Sequence, residues 1–505
     1  MPDRYVKMIL QSRVYDVAVE SPLQDAPLLS RRLGNKVLLK REDLQPVFSF
    51  KLRGAYNKIA SLSPSQRERG VICASAGNHA QGVAMAAKQL GIKSVIVMPR
   101  TTPDIKVRSV RERGGRVVLH GDSFDEALAH AEELTEKEGY SFVHPYDDPF
   151  VIAGQGTVAM ELLHQHPADI TAVFIPVGGG GLAAGMAAYL KYVRPEIKVF
   201  GVEAEDAACL KAALDRKRRV ELAEVGLFAD GVAVRQIGKE TFRVLRQSLD
   251  GVLTCTTDEI CAAVKDTFED TRAVPEPSGA LALAGMKKWV QQEGIEGATL
   301  VAIQSGANVN FDRLRHIAER AELGEQREAI LGVTIPEKPG SFRQFCQAIG
   351  RRAITEFNYR YRDQAEAHVF VGVQIVPGSD DLASLVSSLG DKGYGVVDMS
   401  QNEMAKLHIR HMVGGHAPNS GVNEVLCRVE FPERPGALLK FLMSLGGRWN
   451  ISLFHYRNHG AAYGRVLVGF QVPKGEMKEF RDDAQHFPYP VVIETDNPAY
   501  ELFLN

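Results

Sequence analysis

The sequence predicts an α/β region on largely parallel sheets, followed by two ferredoxin-like α+β domains. Three observations carry this. Through the first two thirds of the 505 residues, short apolar runs alternate with longer helical patterns. The loops after several of those runs are made of glycine, serine and asparagine, residues that open helices. In the last third, two stretches match each other residue by residue.

Composition sets the outer limits. Apolar residues are 45% and charged residues 24%, ordinary for a soluble globular protein, and the length calls for more than one core. A net charge of −2 offers no global attraction to nucleic acid or to an anionic membrane. Residues 1–10 lack the apolar core of a signal peptide, and no run is long enough to span a bilayer. The expectation is a cytoplasmic protein with no membrane and no nucleic-acid partner. The six cysteines (73, 209, 255, 261, 346 and 427) form no C-x-x-C pair, so reduced, buried thiols are expected. Neither His164-x-His166 nor His408-x-x-His411 has the partners of a metal site, and no metal is expected.

In chain order, strands are expected at 37–40, 71–74, 94–98, 116–120, 171–177, 198–203 and 299–304, with helices between them such as 79–90, 124–137 and 182–193. In parallel sheets, ligands bind beyond the carboxyl ends of strands, which makes the following loops the candidate sites. Lys51 follows the apolar approach Val47-Phe48-Ser49-Phe50. Desolvation there lowers a lysine's pKa and makes its amine nucleophilic, although a solvated surface lysine fits the same stretch. After residue 74 comes Ser75-Ala76-Gly77-Asn78-His79, which serves equally as a helix cap or as a carboxylate cradle. Four glycines, Gly178 to Gly181, precede the 182–193 helix. Their bare amides suit a phosphate. A dinucleotide site is the competing reading, with Glu203 about 20 residues on as the ribose-binding acid. Ser305-Gly306-Ala307-Asn308 repeats the strand-then-small-polar pattern. Glu276, in Pro275-Glu276-Pro277-Ser278-Gly279, is either a helix-start acid or a cofactor neighbour.

Together, Ser49-Phe50-Lys51-Leu52-Arg53-Gly54-Ala55, Ser75 to Gly82, the glycine loop and Ser305 to Asn308 resemble the fold type II family of pyridoxal-phosphate enzymes, over roughly residues 15–320. Within it, the whole chain resembles the biosynthetic threonine deaminases. The resemblance implies a two-lobed catalytic region with pyridoxal 5'-phosphate as cofactor. It implies that Lys51 is the Schiff-base lysine, that Phe50 packs near the ring and that Asn78 contacts its hydroxyl. Ser305 would face the pyridine nitrogen, and Gly178, Gly179, Gly180, Gly181 and Leu182 would bind the phosphate. Ser75, Ala76 and Gly77 would hold the substrate carboxylate. A serine at the ring nitrogen stabilises a protonated ring less than a carboxylate would, which favours β-elimination over transamination. Ser305→Asp should therefore change the product partition. The reaction implied is conversion of L-threonine to 2-oxobutanoate and ammonia, the first step of isoleucine biosynthesis.

Beyond residue 320 a charged helical connector (321–327) leads into the repeat. Thr334-Ile335-Pro336-Glu337-Lys338-Pro339-Gly340 matches Glu430-Phe431-Pro432-Glu433-Arg434-Pro435-Gly436. The following helices share one apolar face: Phe342, Phe345, Cys346 and Ile349 against Leu438, Phe441, Leu442 and Leu445. Each copy reads strand-helix-strand-strand-helix-strand. The expected layout is a catalytic region at 1–320, a first domain at 328–400, a linker at 401–421 and a second domain at 422–505. The repeat resembles ACT-like regulatory domains. That implies inhibition by isoleucine, relief by valine and a homotetramer, with Tyr359 and Tyr456 as effector contacts. A duplicated assembly domain is the plainer alternative. A nicotinamide oxidoreductase, a silent amino-acid sensor, and a serine dehydratase or cystathionine-type synthase also stay open.

Overall fold

The computed structural model describes residues 2–311, 313–325, 327–338, 340–350, 352–360, 366–375, 382–402, 405–406, 409–411, 423–432, 437–444, 448–457, 463–473 and 475–497. The chain forms two compact units, Met1–Gly324 and Glu325–Asn505.

The described residues of the first unit form ten strands: β1 (Leu23–Asp25), β2 (Lys36–Arg41), β3 (Val71–Ala74), β4 (Ser94–Met98), β5 (Arg116–Leu119), β6 (Ser141–Phe142), β7 (Ala172–Pro176), β8 (Lys198–Ala204), β9 (Gly251–Cys255) and β10 (Thr299–Gln304). They make a large sheet, β1-β2-β10-β7-β8-β9, and a small one, β5-β4-β3-β6. All pairings are parallel except β1 with β2. The central strands are apolar but for Ser94 at the start of β4 and are buried on both faces, as parallel strands between helical layers must be. The sequence reading missed β1, β6 and β9 and did not name the helices Pro149–Gln165 and Thr257–Thr271. β6 has only two residues, too few to show a period, and β9 is a half-exposed edge strand opening on glycine.

A buried ionic quartet ties these layers together. Arg53, two residues past Lys51 on the helix Lys51–Ala60, pairs with Glu42 at 2.7 Å and Glu161 at 2.5 Å, and Lys40 pairs with Glu161 at 2.6 Å. Two positive and two negative charges balance inside, which a buried cluster needs. All six cysteines are buried and free.

The second unit carries the duplication. The first copy is β11 (Glu328–Pro336), the helix Ser341–Ile349, β12 (Ile354–Arg360), β13 (Glu366–Gln374), the helix Leu382–Asp391 and β14 (Gly395–Asp398). The second is β15 (Asn423–Pro432), the helix Ala437–Ser444, β16 (Asn450–Arg457), β17 (Tyr463–Val472), the helix Met477–Gln485 and β18 (Val491–Ile493). Both have the ferredoxin-like order. One sheet, β14-β11-β13-β12-β16-β17-β15-β18, joins them through antiparallel β12 and β16.

The repeat also holds outside the motif that revealed it. In each copy an irregularity in the second strand falls at a hydroxyl residue, Thr355 or Ser452. That hydroxyl bonds a first-strand glutamate, Glu328 or Glu424. A third-strand glycine, Gly372 or Gly469, leaves the room: a Cβ on either would crowd the pair.

The linker expected at 401–421 is described at 401–402, 405–406 and 409–411, where Arg410 pairs with Glu356 at 2.6 Å and Glu328 at 3.4 Å. Pro339, Glu433 to Gly436, Leu445 and His408 lie outside the described residues. Among the described residues no His/Cys/Asp/Glu group could hold a metal, and no helix is long and apolar enough to cross a membrane.

Candidate active site

Loops beyond the carboxyl ends of both sheets supply the site in the first unit. Lys51 opens its helix, with the Phe50 ring centroid 5.3 Å from its amine. The amine donates to the Pro145 carbonyl at 3.1 Å. Desolvation pushes its pKa down to about 8, against the pull of Glu276 in the other direction. Phe50 N donates to Ser305 O at 3.3 Å, and Ser49 bridges Gly306. The lysine stretch and the loop after β10, far apart in sequence, thus form one wall. Gly82 brings the next helix, Asn78–Gln89, against the lysine: a Cβ there would lie 3.2 Å from the Lys51 carbonyl.

Ser75, Ala76 and Gly77 form the turn between β3 and that helix. Ser75 Oγ accepts from Gly77 N at 3.3 Å, and a Cβ on Gly77 would meet nothing within 4 Å. Among the described residues, the amides of Ala76, Asn78 and His79 have no acceptor. Open space beside free amides at a helix start is an anion site. His79 Nε2 lies 2.8 Å from Val143 O, and burial pushes its pKa down to about 3, so the ring is neutral.

The loop after β7 leads from Gly178 into the helix Gly181–Val193, with Gly180 left-handed at φ +90°. The amides of Gly178 to Leu182 have no acceptor among the described residues. A Cβ on Gly179 would sit 2.2 Å from the Tyr146 ring, and one on Gly178 2.9 Å from Val232 Cα. Only glycine fits at these two positions, and five free amides lead into a helix N-terminus, donors that suit a phosphate monoester. Ser305 Oγ is buried and donates to Ser278 O at 3.2 Å. The hydroxyls of Ser49 and Ser278 are buried without partners. Free phosphate donors, a desolvated amine and spare buried hydroxyls fit pyridoxal 5'-phosphate.

Three contributors were missed or left open by the sequence reading. The run His144-Pro145-Tyr146-Asp147 holds the Lys51 amine, seats a ring on the glycine loop, and caps the helix Lys239–Ser248 through Asp147. It follows β6, so the loop-after-strand rule would have found it had β6 been visible. Glu276 accepts from Asn78 Nδ2 at 2.7 Å, and Asn308 Nδ2 donates to Asn78 Oδ1 at 2.7 Å. Glu203, the acid of the dinucleotide reading, spends both oxygens on the amides of Leu210 and Lys211, at 2.7 and 2.8 Å. It caps a helix from a fully buried position, which leaves the dinucleotide reading without its ribose contact.

In the second unit a cavity lies where the two copies meet. Gly340, Phe342 and Arg343 line it from the first copy, and Leu442, Trp449 and Asn450 from the second. Ser341 Oγ, at the start of the helix beside it, is buried without a partner. Tyr359 and Tyr456 face the aromatic core between the copies, where β12 and β16 pair Tyr359 with Phe454 and Phe357 with Tyr456. Tyr359 packs on the cavity residue Phe342 at 4.6 Å and donates to Glu337 at 2.5 Å. Both tyrosines are almost fully buried.

Residues 15–306 match the model of the pyridoxal-phosphate dependent enzyme family, and residues 319–409 and 416–504 match the C-terminal regulatory domain of threonine dehydratase. The chain is 58% identical over 504 residues to a biosynthetic L-threonine dehydratase of Burkholderia multivorans, covering 99% of both chains. It is 56% identical over 500 residues to that of Escherichia coli, covering 99% of this chain and 97% of the other. A solved structure of the processed form of threonine deaminase isoform 2 from Solanum lycopersicum is 50% identical, with a TM-score of 0.63, over 64% of this chain and 88% of that one.

Proposed function

The chain belongs to the biosynthetic threonine dehydratases, pyridoxal-phosphate-dependent lyases, and from that premise we propose how its own residues run the reaction and how its second unit controls it. The observation that carries the proposal is the meeting of a desolvated Lys51 amine with a glycine-only loop of free amides. When bound, the cofactor supplies the electron sink that makes the Cα proton of an amino acid removable. Gly178 to Leu182 would hold its phosphate, Asn78 and Ser305 would contact its ring, and Phe50 would pack beside it.

Lys51 would anchor the cofactor, and its neutral amine, free beside the bound substrate, is the base that takes the Cα proton. With a pKa of about 8, roughly a tenth of such an amine is neutral at pH 7, against fewer than about one in a thousand for an ordinary lysine. Ser75, Ala76 and Gly77 hold the substrate carboxylate, which orients Cα toward Lys51. The β-hydroxyl of L-threonine leaves with a proton as water, balanced by the proton that Lys51 took from Cα, and uptake of one water gives 2-oxobutanoate and ammonia.

For control, we infer that the second unit, as domains 328–400 and 422–505, binds isoleucine as inhibitor and valine as its antagonist. The residue types around the cavity match an aliphatic α-amino acid, for which the cavity must widen: Phe342, Leu442 and Trp449 offer an apolar wall, and Arg343, Asn450 and Ser341 offer polar partners. Tyr359 backs the cavity through Phe342, and Tyr359 and Tyr456 are kept as the effector contacts to test. An effector acts only through its differential affinity for two states of the enzyme. The working form is a cytoplasmic homotetramer.

The test is a visible spectrum before and after L-threonine, for wild type and Lys51→Ala. A cofactor band that threonine changes as 2-oxobutanoate appears, and turnover lost in Lys51→Ala, is expected. A wild type that stays colourless and inert after pyridoxal phosphate is added back would sink the reading. Removing 328–505 should leave activity and abolish the isoleucine response. A truncated enzyme that isoleucine still inhibits would remove the effector site from the second unit.

A further inference from the structure

Glu276 precedes the helix Pro277–Glu293 but makes no side-chain cap to it. Its two oxygens are used elsewhere. Oε1 accepts from Asn78 Nδ2 at 2.7 Å, and Oε2 accepts from the Asn308 backbone N–H at 3.0 Å. Asn308 closes the circle: its side-chain amide donates to Asn78 Oδ1 at 2.7 Å and to Val47 O at 2.8 Å. The Asn78 amide is therefore held at both ends, its donor end on the acid and its acceptor end on Asn308. One N–H of Asn78 is left over. The surroundings are tight: a Cβ on Gly306 would lie 2.7 Å, and one on Gly231 3.2 Å, from Glu276 Oε1.

We propose that Glu276 is a positioning residue of the dehydratase, holding the Asn78 amide in the one orientation that keeps an N–H for the cofactor's ring oxygen. The inference rests on the reading of Asn78 as a cofactor contact. Two donors meet two different oxygens, so the position requires a carboxylate. A glutamine there supplies one oxygen and one NH₂, and one donor is left facing another donor. The charges around the carboxyl are Lys51 and Lys106, which favour its ionised form, and Asp230, which opposes it. Burial, with Asp230, pushes the carboxyl up to about 7, so above neutral pH both oxygens are acceptors.

The test is a double-mutant cycle on the holoenzyme with Glu276→Gln and Asn78→Ala. It reads kcat and KM on L-threonine, the bound-cofactor absorbance maximum, and pyridoxal-phosphate affinity in reconstitution of apoenzyme. Glu276→Gln should lower kcat about tenfold or more, the size of one charge-assisted hydrogen bond. It should also shift the absorbance maximum and leave KM within about threefold. In the Asn78→Ala background the same change should cost less than about twofold, because the path through Asn78 is gone. Glu276→Asp keeps both oxygens on a shorter arm and should retain more activity than Gln at a similar melting temperature. Should the Gln variant fail to fold, the Asp variant carries the same cycle. Equal losses in both backgrounds, or a Gln variant with wild-type kcat and spectrum, would overturn the proposal. A wild type with no cofactor band would overturn the functional reading and this one with it; a normal wild type with additive variants overturns this one alone.

Discussion

Gly179→Ala tests the glycine loop most directly. The added methyl would sit 2.2 Å from Cγ and Cδ1 of Tyr146, where carbon atoms need about 3.5–4 Å. The ring cannot simply swing away, because the clash reaches the root of the side chain. The Tyr146 backbone is also close: a Cβ on Gly181 would lie 3.0 Å from Tyr146 Cα. Overpacking of this kind costs about 1–3 kcal/mol. Two relaxations are open. If the Tyr146 segment moves, it drags the Pro145 carbonyl that holds Lys51 and the Asp147 carboxylate that caps Lys239–Ser248. If the loop moves, its amides lose their common focus. Either way cofactor binding weakens, by about 5- to 150-fold if the whole cost falls on the bound state. Titrating apoenzyme with pyridoxal phosphate while following fluorescence measures the loss, and calorimetry should show a melting point a few degrees lower. Tyr146→Ala removes the obstacle, so in that background Gly179→Ala should cost far less. A Gly179→Ala enzyme with wild-type affinity and melting point, or strictly additive variants, would refute the packing argument.

Two further outcomes follow from buried charge. Arg53→Leu leaves Glu42 and Glu161 to share Lys40, and stability should fall by about 3–5 kcal/mol on chemical denaturation; a loss below about 1 kcal/mol would show that the quartet is not held as described. Burial pushes Glu203 up to about 7, despite the lowering effect of its two amide donors. The folded chain thus keeps a proton between about pH 4.5 and 7 that the unfolded chain has released, and this stabilising contribution fades as pH rises through 7. Glu203→Gln removes that titration, so its melting-point deficit against wild type should be smaller at pH 8 than at pH 5. An equal deficit at both would mean that Glu203 titrates normally.

What the sequence revealed was local. The strands that showed themselves were short runs of mostly apolar residues, and three of the loops behind them, at Ser75, Gly178 and Ser305, line the site. The repeat was visible because a Pro-Gly turn is rare enough to be matched by eye. What stayed hidden needed partners distant in the chain. β6 is two residues long, so the segment from His144 to Asp147 gave no sign that it follows a strand. Glu276 stood open between a helix-start acid and a cofactor neighbour, and only its pairing with Asn78 and Asn308 shows where its oxygens go. Glu203 met the spacing of a ribose-binding acid, yet the local chain spends it as a cap. Spacing places a residue along the chain and leaves open which donors will surround its oxygens.

The charges around Lys51 show why the site works as a unit. A lysine two residues from an arginine and in the field of Glu276 could be pulled either way. Arg53 is neutralised in place by Glu42 and Glu161, with Lys40 balancing the second acid. The quartet is electrically neutral, so its field at Lys51 largely cancels. Glu276 is the acid that does act on the amine, and it raises the pKa. Its own carboxyl is raised to about 7 and tied down by two donors, which blunts that pull. Desolvation is therefore left as the largest influence on the amine. The pairing that anchors the lysine's helix also keeps stray charge from undoing the lysine's chemistry, and that accounts for a fully buried Arg53 so close to a base that must lose its proton.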